Sequence, residues 1–377
     1  MIQTENIFLP NSATLPDSGP SRKSKTPEKY LHSTYYETYD TKTLWYDAIE
    51  DNGLITLVCP KLNNLEPVLK MGQFKVDGRK VQKPKIRKFR RTDLVELPVS
   101  GPATQIEFET ADFTLNSKIS KTEHDLFSGL NTLLLMNKNN DLEWIRDHIK
   151  WHMAHHGLEA VMIMDNNSDR YKSDSLIPYL KDTGLKQVAL LKLPFTYGAF
   201  GITPFRYREL YLQTSAYNIS RLRFLQQARA VLSCDVDELL SPGPGSIFER
   251  ALASRSGFVR IKGSMRYHDL ENTSQMTHVG GYFRIGTKLD SAPKWCIVPS
   301  GRFKGYNWAP HSLEKLLLER LYIDKSYEFW HFFHVSTNWQ GNRESQIAGL
   351  SEDPDARDLL SKTLEQPEAR VAGHIEK

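Results

Sequence analysis

Two carboxylates separated by one residue follow an apolar run near the middle of the chain. Val231 and Leu232 lead into Asp235 and Asp237, and Glu238 comes next. Mg²⁺ and Mn²⁺ take hard oxygen ligands and usually keep substrate phosphates in their shell. At the end of a buried strand, carboxylates at this spacing can therefore hold one divalent cation and the diphosphate that it carries, which is the chemistry of a nucleotide-sugar site. The alternative is a solvated acidic turn, and the surrounding residues decide between the two.

A second polar cluster follows another predicted strand. Asp165, Asn166 and Asp169 lie in the segment Asp-Asn-Asn-Ser-Asp, where short polar side chains can contact the base or ribose of a nucleotide. The same residue types are common turn formers, which is the alternative interpretation. No Gly-x-Gly-x-x-Gly or Walker loop accompanies these strands, so the sequence predicts neither a dinucleotide site nor a P-loop. The phosphates are then expected on a metal bound by Asp235 and Asp237.

Histidines downstream of the acidic pair are candidates for a third metal ligand. His311 follows Trp-Ala-Pro, and His331 and His334 lie in Trp-His-Phe-Phe-His. Neutral imidazole is a common metal ligand; the alternative for each residue is a hydrogen-bonded histidine of the core. Four more histidines, between 148 and 156, share one predicted helix without a Glu that could act as a general base between them. For these we predict a polar helix face against the neighbouring domain.

The segment from Arg79 to Arg91 holds eight basic residues among thirteen. Such a run can attract an anionic membrane surface or an acidic glycan, at roughly 1 kcal/mol per basic residue near anionic lipid. The alternative, a solvated strand face and loop, is slightly favoured. Phe89 is the one aromatic residue of the run, so a nucleic-acid partner is not predicted.

Composition places this chain among globular proteins. Its 377 residues are 40% apolar and 11% aromatic, enough for one large core and a smaller second one. The net charge of +4 is too close to balance to indicate nucleic-acid binding. Cys59, Cys234 and Cys296 fit neither a disulfide framework nor a Cys-x-x-Cys site. With no signal-peptide pattern and no run of about 18 apolar residues, we expect a cytoplasmic protein, with peripheral contact at the inner membrane face as a hypothesis.

Changes in sequence pattern predict four regions. Residues 1–28 are rich in Ser, Pro, Thr and Asn and are predicted to form a disordered leader. Short β-type segments at 54–58, 74–76, 93–97 and 105–109 indicate a small antiparallel β module over 29–125. The main domain is predicted over 126–345, followed by a helical and polar tail over 346–377.

The main domain shows buried strands alternating with helices. Asp141 can cap a helix that ends at Gly157, and Asp165 and Asp235 each follow a strand. Alternation of this kind predicts an α/β fold with a doubly wound, mostly parallel, Rossmann-like sheet, whose ligands sit beyond the carboxyl ends of the strands. The predicted strands are 131–136, 160–164, 188–193 and 230–233, and the predicted helices are 141–157, 173–181 and 207–217.

The order of these motifs resembles that of the GT-A glycosyltransferases grouped as family 92 and their bacterial family-2-like relatives. The family's helix opening, K-N-E-x-x-x-L-x-E-W-I-x-x-H, is similar to residues 136–148, where Met-Asn-Lys-Asn-Asn-Asp-Leu-Glu-Trp-Ile precedes His148, with His152 and Gly157 beyond. Its Y-D-N-x-S-x-D strand end resembles 164–169, and its D-x-D-E-F element resembles 235–238. Asn139-Asn140 replaces Asn-Glu, and Met164 replaces Tyr.

Two later elements extend the resemblance to about residues 130–345. Lys294-Trp-Cys-Ile-Val-Pro, followed by His311, is similar to the family's K-x-I-V-R-P…H, with Ser300 where Arg is common. His331-Phe332 with Ser336 matches the closing H-Y-x-x-x-S. Animal members begin with a Golgi membrane anchor, which this sequence lacks, so a bacterial cytosolic enzyme of polysaccharide biosynthesis is the expectation.

The resemblance implies a GT-A-like fold and a metal-dependent transfer of a hexose, such as galactose, from a nucleotide-diphosphate sugar. The donor would be a UDP-sugar or a relative of it, and the acceptor a glycan or a lipid-linked glycan. Mn²⁺ or Mg²⁺ is the implied cofactor, held by Asp235 and Asp237 with His311 or His331.

An inverting transfer would also require a carboxylate base, for which Glu238 and Asp269 are available. Two other functions stay open: a sugar-1-phosphate nucleotidyltransferase, and a glycan-binding protein of the same fold without turnover. The predicted donor contacts are Asp165, Asn166, Asp169, Asp235 and Lys294, and Lys294 is a candidate partner of the phosphates.

Overall fold

A nine-stranded sheet forms the centre of the fold in the computed structural model. Residues 1–5 of the predicted leader and 366–377 of the predicted tail lie outside the described part of the chain. The structure describes residues 6–202, 208–271, 276–286, 291–337 and 343–365.

Short strands dominate the first third of the chain. The four strands predicted there, at 54–58, 74–76, 93–97 and 105–109, are confirmed as Leu54–Pro60 (β5), Gln73–Val76 (β6), Thr92–Pro98 (β9) and Gln105–Glu109 (β10). In chain order, this part contains β1 Ile7–Phe8, β2 Ala13–Thr14, α1 Tyr35–Thr38, β3 Thr43–Trp45, β4 Asp47–Asp51, β5 Leu54–Pro60, α2 Glu66–Met71, β6 Gln73–Val76, β7 Arg79–Lys80, β8 Lys85–Lys88, β9 Thr92–Pro98, β10 Gln105–Glu109, β11 Thr114–Lys118 and β12 Ser120–Lys121.

Strands and helices alternate in the next part, as predicted. The helix capped at Asp141 is confirmed, and it ends at Gly157, whose φ of +66° is the left-handed conformation of a helix C-cap. The elements are β13 Asn131–Asn137, α3 Leu142–His156, β14 Ala160–Asp165, α4 Leu176–Leu180, β15 Gln187–Lys192, β16 Ala199–Phe200, β17 Arg208–Glu209, α5 Tyr211–Ser220, β18 Ala230–Ser233, β19 Glu238–Leu240, α6 Ile247–Ala253, β20 Phe258–Arg266, β21 Phe283–Arg284, β22 Ser291–Ile297, β23 Trp308–Ala309, β24 Ser312–Leu313, β25 Ile323–Phe332, β26 Ser351–Glu352 and α7 Pro354–Leu364.

The central sheet has the strand order β1-β15-β14-β13-β18-β22-β20-β25-β19. Neighbours from β1 to β18 are parallel. β22 is antiparallel to both β18 and β20, β20 is parallel to β25, and β19 closes the sheet in the antiparallel direction. The predicted α/β fold with a mostly parallel sheet is confirmed.

Both faces of the parallel part of this sheet are covered, so β13, β14, β15 and β18 are apolar along most of their length. Side chains of β13 alternate between two cores: Leu133 and Leu135 pack with α3, α4 and α6, whereas Leu134 packs with α5. Ala356 and Leu360 of α7 join the first core, so the described part of the predicted tail packs onto the main domain. No helix among the described residues is long and apolar enough to cross a membrane.

The N-terminal strands form two smaller sheets, ordered β12-β4-β5-β9-β8 and β11-β10-β6-β7. All their pairings are antiparallel except that of β12 with β4. These sheets share a separate core, but Val58 and Leu94 pack into the core beneath α5 beside Leu212. The β module therefore packs together with α5 over the second face of the central sheet. Its independence as a domain stays a prediction.

The predicted disorder of residues 1–28 is wrong for its described part. Ile7 pairs with Leu190 of β15 at the sheet edge. Arg22 is buried, and its guanidinium donates to the carbonyls of Lys61 at 2.7 Å and Asp40 at 2.6 Å. Two-residue strands carry no periodicity, and an arginine satisfied by distant carbonyls leaves no local pattern. Composition alone therefore predicted disorder for an ordered segment.

Candidate active site

The parallel strands bring the polar strand ends to one edge of the central sheet. Asn137 ends β13 and lies opposite Asp165 in the register with β14. β18, on the other side of β13, leads directly into Asp235. Because β13, β14 and β18 run in the same direction, both predicted polar clusters lie at the carboxyl edge, one on each side of β13.

A tight turn shapes the acidic motif. The backbone N–H of Glu238 donates to Asp235 O at 3.0 Å, and the backbone N–H of Asp235 donates to Glu238 Oε2 at 3.0 Å. The chain then enters β19, in which Glu238 pairs with His331 of β25. Phe332 N–H donates to Asp237 O at 2.8 Å. This antiparallel pairing brings a histidine about 90 residues away in sequence beside the two aspartates.

The carboxylates of the motif are compensated by three cationic groups, Lys294, His331 and Arg343, whose Nη1 lies 3.4 Å from Asp237 Oδ2. Lys294 Nζ contacts Asp235 Oδ2 and lies 3.1 Å from Glu238 Oε2. His331 Nε2 lies 3.1 Å from Asp237 Oδ2. Lys294 and Glu238 are 1% and 3% exposed, whereas Asp235 and Asp237 are 31% and 23% exposed. The two aspartates therefore face the solvent, and the lysine and the glutamate support them from below.

Electrostatics separate these groups into different protonation states. Burial raises the pKa of Glu238 to about 7, and the charge of Asp235 adds to the rise while Lys294 opposes it. Burial acts in the same direction on Asp237, but the charge and hydrogen bond of His331 outweigh it and lower the pKa of Asp237 to about 2. Burial lowers and Asp237 raises the pKa of His331, with a net rise. Asp237 is therefore the firmly ionised carboxylate of the motif.

Asp237, Glu238 and His331 fit a divalent cation. One ligand atom from each lies within 4.8 Å of the others. Carboxylate oxygens and an imidazole nitrogen are ligands that Mn²⁺ accepts. Ser291 Oγ lies 2.9 Å from His331 Nδ1, so it can fix the ring while Nε2 binds a cation. Asp235 offers a further, partly exposed carboxylate at the same turn.

His311, the other predicted ligand, lies near this group. Its Nδ1 is 3.3 Å from the carbonyl of Pro293, beside Lys294 on β22. Desolvation by the surrounding protein, together with the positive charge of Lys294, lowers the pKa of His311 to about 4. His334 lies one turn beyond β25, where its Nδ1 accepts from the backbone N–H of His268 at 3.0 Å. Of the predicted histidines, His331 is the one joined to the acidic pair.

The predicted donor residues Asp165 and Asn166 are buried. Asp165 Oδ1 accepts from Asn137 Nδ2 at 2.6 Å, and its Oδ2 accepts from Ser168 N–H at 3.1 Å. Asn166 Nδ2 donates to the carbonyls of Leu193 and Phe195 at 3.0 and 2.8 Å. These two side chains are used to hold the loop after β14.

Asp169 is exposed and is held by Asn139 of the neighbouring loop. Asn139 Nδ2 donates to Asp169 Oδ1 at 2.7 Å, and Asp169 N–H donates to Asn139 Oδ1 at 2.8 Å. Asn139 adopts a left-handed φ of 58°, which Asn tolerates better than most residues. The exposed side chains of this cluster are therefore those of Asn167 and Asp169, and Asn139 is half-buried. No role was predicted for Asn139, although the motif that contains it precedes the segment of Asp165 and Asp169, which could have indicated a contact between the two loops.

Asp269, the second predicted base, follows β20 at the same sheet edge. β20 runs parallel to β25, with Arg266 opposite Phe332. The Asp269 carboxylate accepts from the backbone N–H of Glu271 at 3.1 Å within its own loop. It is half-buried, unlike Glu238.

The prediction that the α3 histidines form a polar face against a neighbouring domain is wrong for three of them. His148, His152 and His156 are buried against the acidic loop and β19. Leu240 N–H donates to His152 Nε2 at 3.3 Å, and His156 Nε2 donates to Leu240 O at 3.1 Å. The apolar periodicity of α3 could not show that two of its imidazoles bond to the backbone of Leu240, where a further strand would otherwise pair with β19.

A second group of ligand atoms lies behind the acidic loop. Nitrogens of His148 and His152 and the sulfur of Cys234 are within 4.8 Å of one another. His152 Nδ1 donates to His148 O at 2.7 Å, so both of its ring nitrogens contact backbone groups. His278 Nε2 donates to Val236 O at 2.8 Å. We assign these buried side chains to support of the loop.

Comparison with known proteins gives remote similarities. No protein-family model matches the sequence, and no curated protein matches it. Among solved structures, the apo bifunctional glycosyltransferase WbbM is 12% identical with a TM-score of 0.26, over 45% of this chain and 26% of that one. The galactosyltransferase LgtC with donor and acceptor sugar analogues is 11% identical with a TM-score of 0.25, over 46% of this chain and 59% of that one.

An active-site mutant of LgtC gives 12% identity and a TM-score of 0.26, over 45% of this chain and 59% of that one. The chain thus spans less than two thirds of each of these glycosyltransferases. Such scores are too low to assign a fold family or an activity. Membership of family 92 stays a prediction.

Proposed function

We propose that this protein is a metal-dependent glycosyltransferase that moves a hexose from a nucleotide-diphosphate sugar to a glycan or glycolipid acceptor. The convergence of Asp237, Glu238 and His331 beside the exposed Asp235, at the carboxyl edge of a mostly parallel sheet, is the observation that carries the proposal. Ligands of open α/β sheets bind at this edge.

Asp237 and His331 would hold Mn²⁺ or Mg²⁺, with Asp235 on the exposed side of the turn. Once bound, the cation would neutralise negative charge on the leaving diphosphate. Lys294 keeps the backbone and carboxylates of the turn in place through its contacts with Asp235 and Glu238. Its burial favours this positioning role over the predicted direct contact with phosphate.

The two predicted bases differ in access. Glu238 is 3% exposed and bonded to Lys294 and to the backbone N–H of Asp235, so an acceptor hydroxyl cannot reach it in this arrangement. Asp269 is half-buried at the same edge. For an inverting transfer we therefore propose Asp269 as the base.

A donor panel tests the proposal. The full chain is incubated with nucleotide-diphosphate sugars and Mn²⁺, and free nucleoside diphosphate is measured with and without EDTA. We expect release with at least one donor, its loss with EDTA, and a fall of at least about 100-fold in Asp237→Asn, or about 2.7 kcal/mol. Asp358→Asn, on the exposed surface of α7, is the matched control and should be unaffected.

Other outcomes would contradict the proposal. Release of pyrophosphate from a nucleoside triphosphate and a sugar 1-phosphate would identify a nucleotidyltransferase. Glycan binding without release of any nucleotide product would indicate a non-catalytic protein. Metal-independent release by the Asp237→Asn variant at the parent rate would remove the metal from the mechanism.

A further inference from the structure

The predicted basic run divides into two parts in the structure. In β8, Lys85 and Arg87 pair with Glu96 at 3.8 and 3.0 Å, as expected of a solvated strand face. Arg90 and Arg91 follow the strand and instead turn into a cleft of about 190 Å³ between the β module, the N-terminal segment and β17. One water needs only about 10–15 Å³, so this cleft has room for a polyatomic group.

Positive charge dominates the cleft. Of its described lining residues, five are cationic and one is acidic. The acidic residue is Glu209, and the cations are Lys25, Lys61, Arg90, Arg91 and Arg208, of which Lys61 is already paired with Asp93.

The charge of Glu209 is already satisfied by neutral donors. Its Oε2 accepts from the hydroxyls of Tyr35 at 2.7 Å and Thr26 at 3.1 Å. Ser24 and Tyr211 donate to the same carboxylate. These bonds, which outweigh its burial, lower the pKa of Glu209. Glu209 is thus a buried structural anion that holds the cleft wall together.

Arg90 and Arg91 have no ion pair of their own in the part of the chain that the structure describes. Their backbone N–H groups donate to Glu314 Oε1 at 2.9 and 3.3 Å, which fixes where their side chains begin. Burial, followed by the charges of Arg90 and Arg208, lowers the pKa of Arg91. Like charges held together in a partly buried cleft are unfavourable unless an anion offsets them.

The hairpin of β23 and β24 contacts both the loop of Arg90 and Arg91 and the surroundings of Asp235. Glu314, directly after β24, accepts from the backbone N–H groups of Arg90 and Arg91 at 2.9 and 3.3 Å. In the turn of the hairpin, His311 Nδ1 is 3.3 Å from the carbonyl of Pro293, and the next residue, Lys294, contacts Asp235. An acceptor that extends along this hairpin would reach both places.

We propose that this cleft binds a phosphate ester carried by the acceptor. The inference rests on the proposed function, because the acceptor is the substrate that would reach from the cleft to Asp235. Paired guanidinium groups match the geometry of phosphate oxygens and can bind them bidentately. Arg90 and Arg91 would supply that recognition, and Lys25 would add a point charge at the exposed rim.

Phosphate binding can be measured without any transfer. Inorganic phosphate is titrated calorimetrically into the full chain, into Arg90→Gln/Arg91→Gln, and into Lys80→Gln/Lys85→Gln, which removes two exposed cations of the same run. We expect the first variant to weaken phosphate binding by about 10-fold or more and the second to bind like the parent. Equal binding by the parent and both variants, or no binding by the parent, would overturn the proposal.

A second titration assigns the cleft to acceptor or donor. The nucleoside diphosphate whose release the donor panel detects, with Mn²⁺, should bind the parent and Arg90→Gln/Arg91→Gln alike. An equal loss of nucleotide and phosphate binding in that variant would show that the cleft serves the donor, and the acceptor assignment would be wrong. If phosphate binds as expected but no donor releases nucleotide, the proposed function fails while the anion site stands.

Vesicles separate the sources of the phosphate. Pelleting with vesicles of equal parts phosphatidylcholine and phosphatidic acid compares the parent with both double variants. Reduced pelleting of Arg90→Gln/Arg91→Gln alone would support a lipid-borne phosphate. Equal pelleting, together with weakened binding of inorganic phosphate, would support a soluble phosphorylated glycan.

Discussion

Two polar clusters flank β13 at one edge of the central sheet, and their carboxylates are neutralised in different ways. Asp165 accepts hydrogen bonds from neutral groups, among them the backbone N–H of Ser168. Asp235 is compensated by the ammonium of Lys294 and keeps 31% of its side chain exposed. Neutral donors fix the shape of a loop, whereas a charge-compensated, exposed carboxylate can exchange its partner for a metal ion. Chemistry is therefore expected at the second cluster.

The largest expected effect comes from removing the buried cation of the second cluster. Lys294→Met leaves Asp235 and Glu238 without their partner, and breaking a buried pair in this way typically costs about 3–5 kcal/mol. Urea unfolding should show this loss. Lys294→Met/Glu238→Gln should recover part of it, because one stranded charge is removed. A single variant as stable as the parent would contradict the ion-pair description of this cluster.

The first cluster should respond with a smaller loss of stability. Asp165→Asn sets an amide N–H₂ against the donors of Asn137 or Ser168, which costs about 1–3 kcal/mol. Thermal unfolding measures the loss, and the KM for the donor should stay within about 3-fold of the parent. If Asp165→Asn is as stable as the parent and has a much higher KM for the donor, Asp165 contacts the nucleoside directly. The two clusters would then differ less than their geometry indicates.

As the pH falls, the second cluster should lose stability at a higher pH than the first, because a histidine that supports β19 is buried in its neutral form. Burial lowers the pKa of His156 to about 4, so between about pH 6.5 and 4 the unfolded chain takes up a proton that the folded chain does not. Stability from this group is complete above pH 6.5 and falls by about 1.4 kcal/mol for each pH unit between 6.5 and 4, below which the loss is complete.

Hydrogen exchange can locate that effect. Amides of β19 should lose protection on acidification earlier than those of the loop after β14. His156→Gln should flatten the pH dependence of the unfolding free energy, and His32→Gln is the control. An unchanged slope in His156→Gln would show that other groups govern acid sensitivity.

The predictable parts of the fold are those encoded by local patterns. β5, β10, β13 and β18 could be placed from short apolar or alternating segments, and α3 from its cap at Asp141 and its glycine end. The apolar residues Val231 and Leu232 likewise indicate that the acidic pair follows a buried strand. Each of these signals lies within a few residues of the element it describes.

The features of the site that could not be predicted depend on pairing between strands that are far apart in the sequence. The register of β19 with β25 selects His331 over His311 as the neighbour of the acidic pair, and no local pattern encodes that register. The burial of Lys294 beneath Asp235 arises because β22 inserts next to β18. Lys294, a predicted phosphate ligand, pairs there with Asp235 and Glu238, and its contact with phosphate stays a prediction.

The pairing of β1 with β15 has a consequence for the behaviour of the protein in solution. β15 would otherwise be an outer strand of the central sheet, presenting a row of free N–H and C=O groups that a second molecule could pair with. Two residues and the amide of Asn6, which donates to Val188 O at 3.2 Å, occupy part of that row. β1 therefore blocks part of the edge at which β15 of a second molecule could pair, although it is only two residues long.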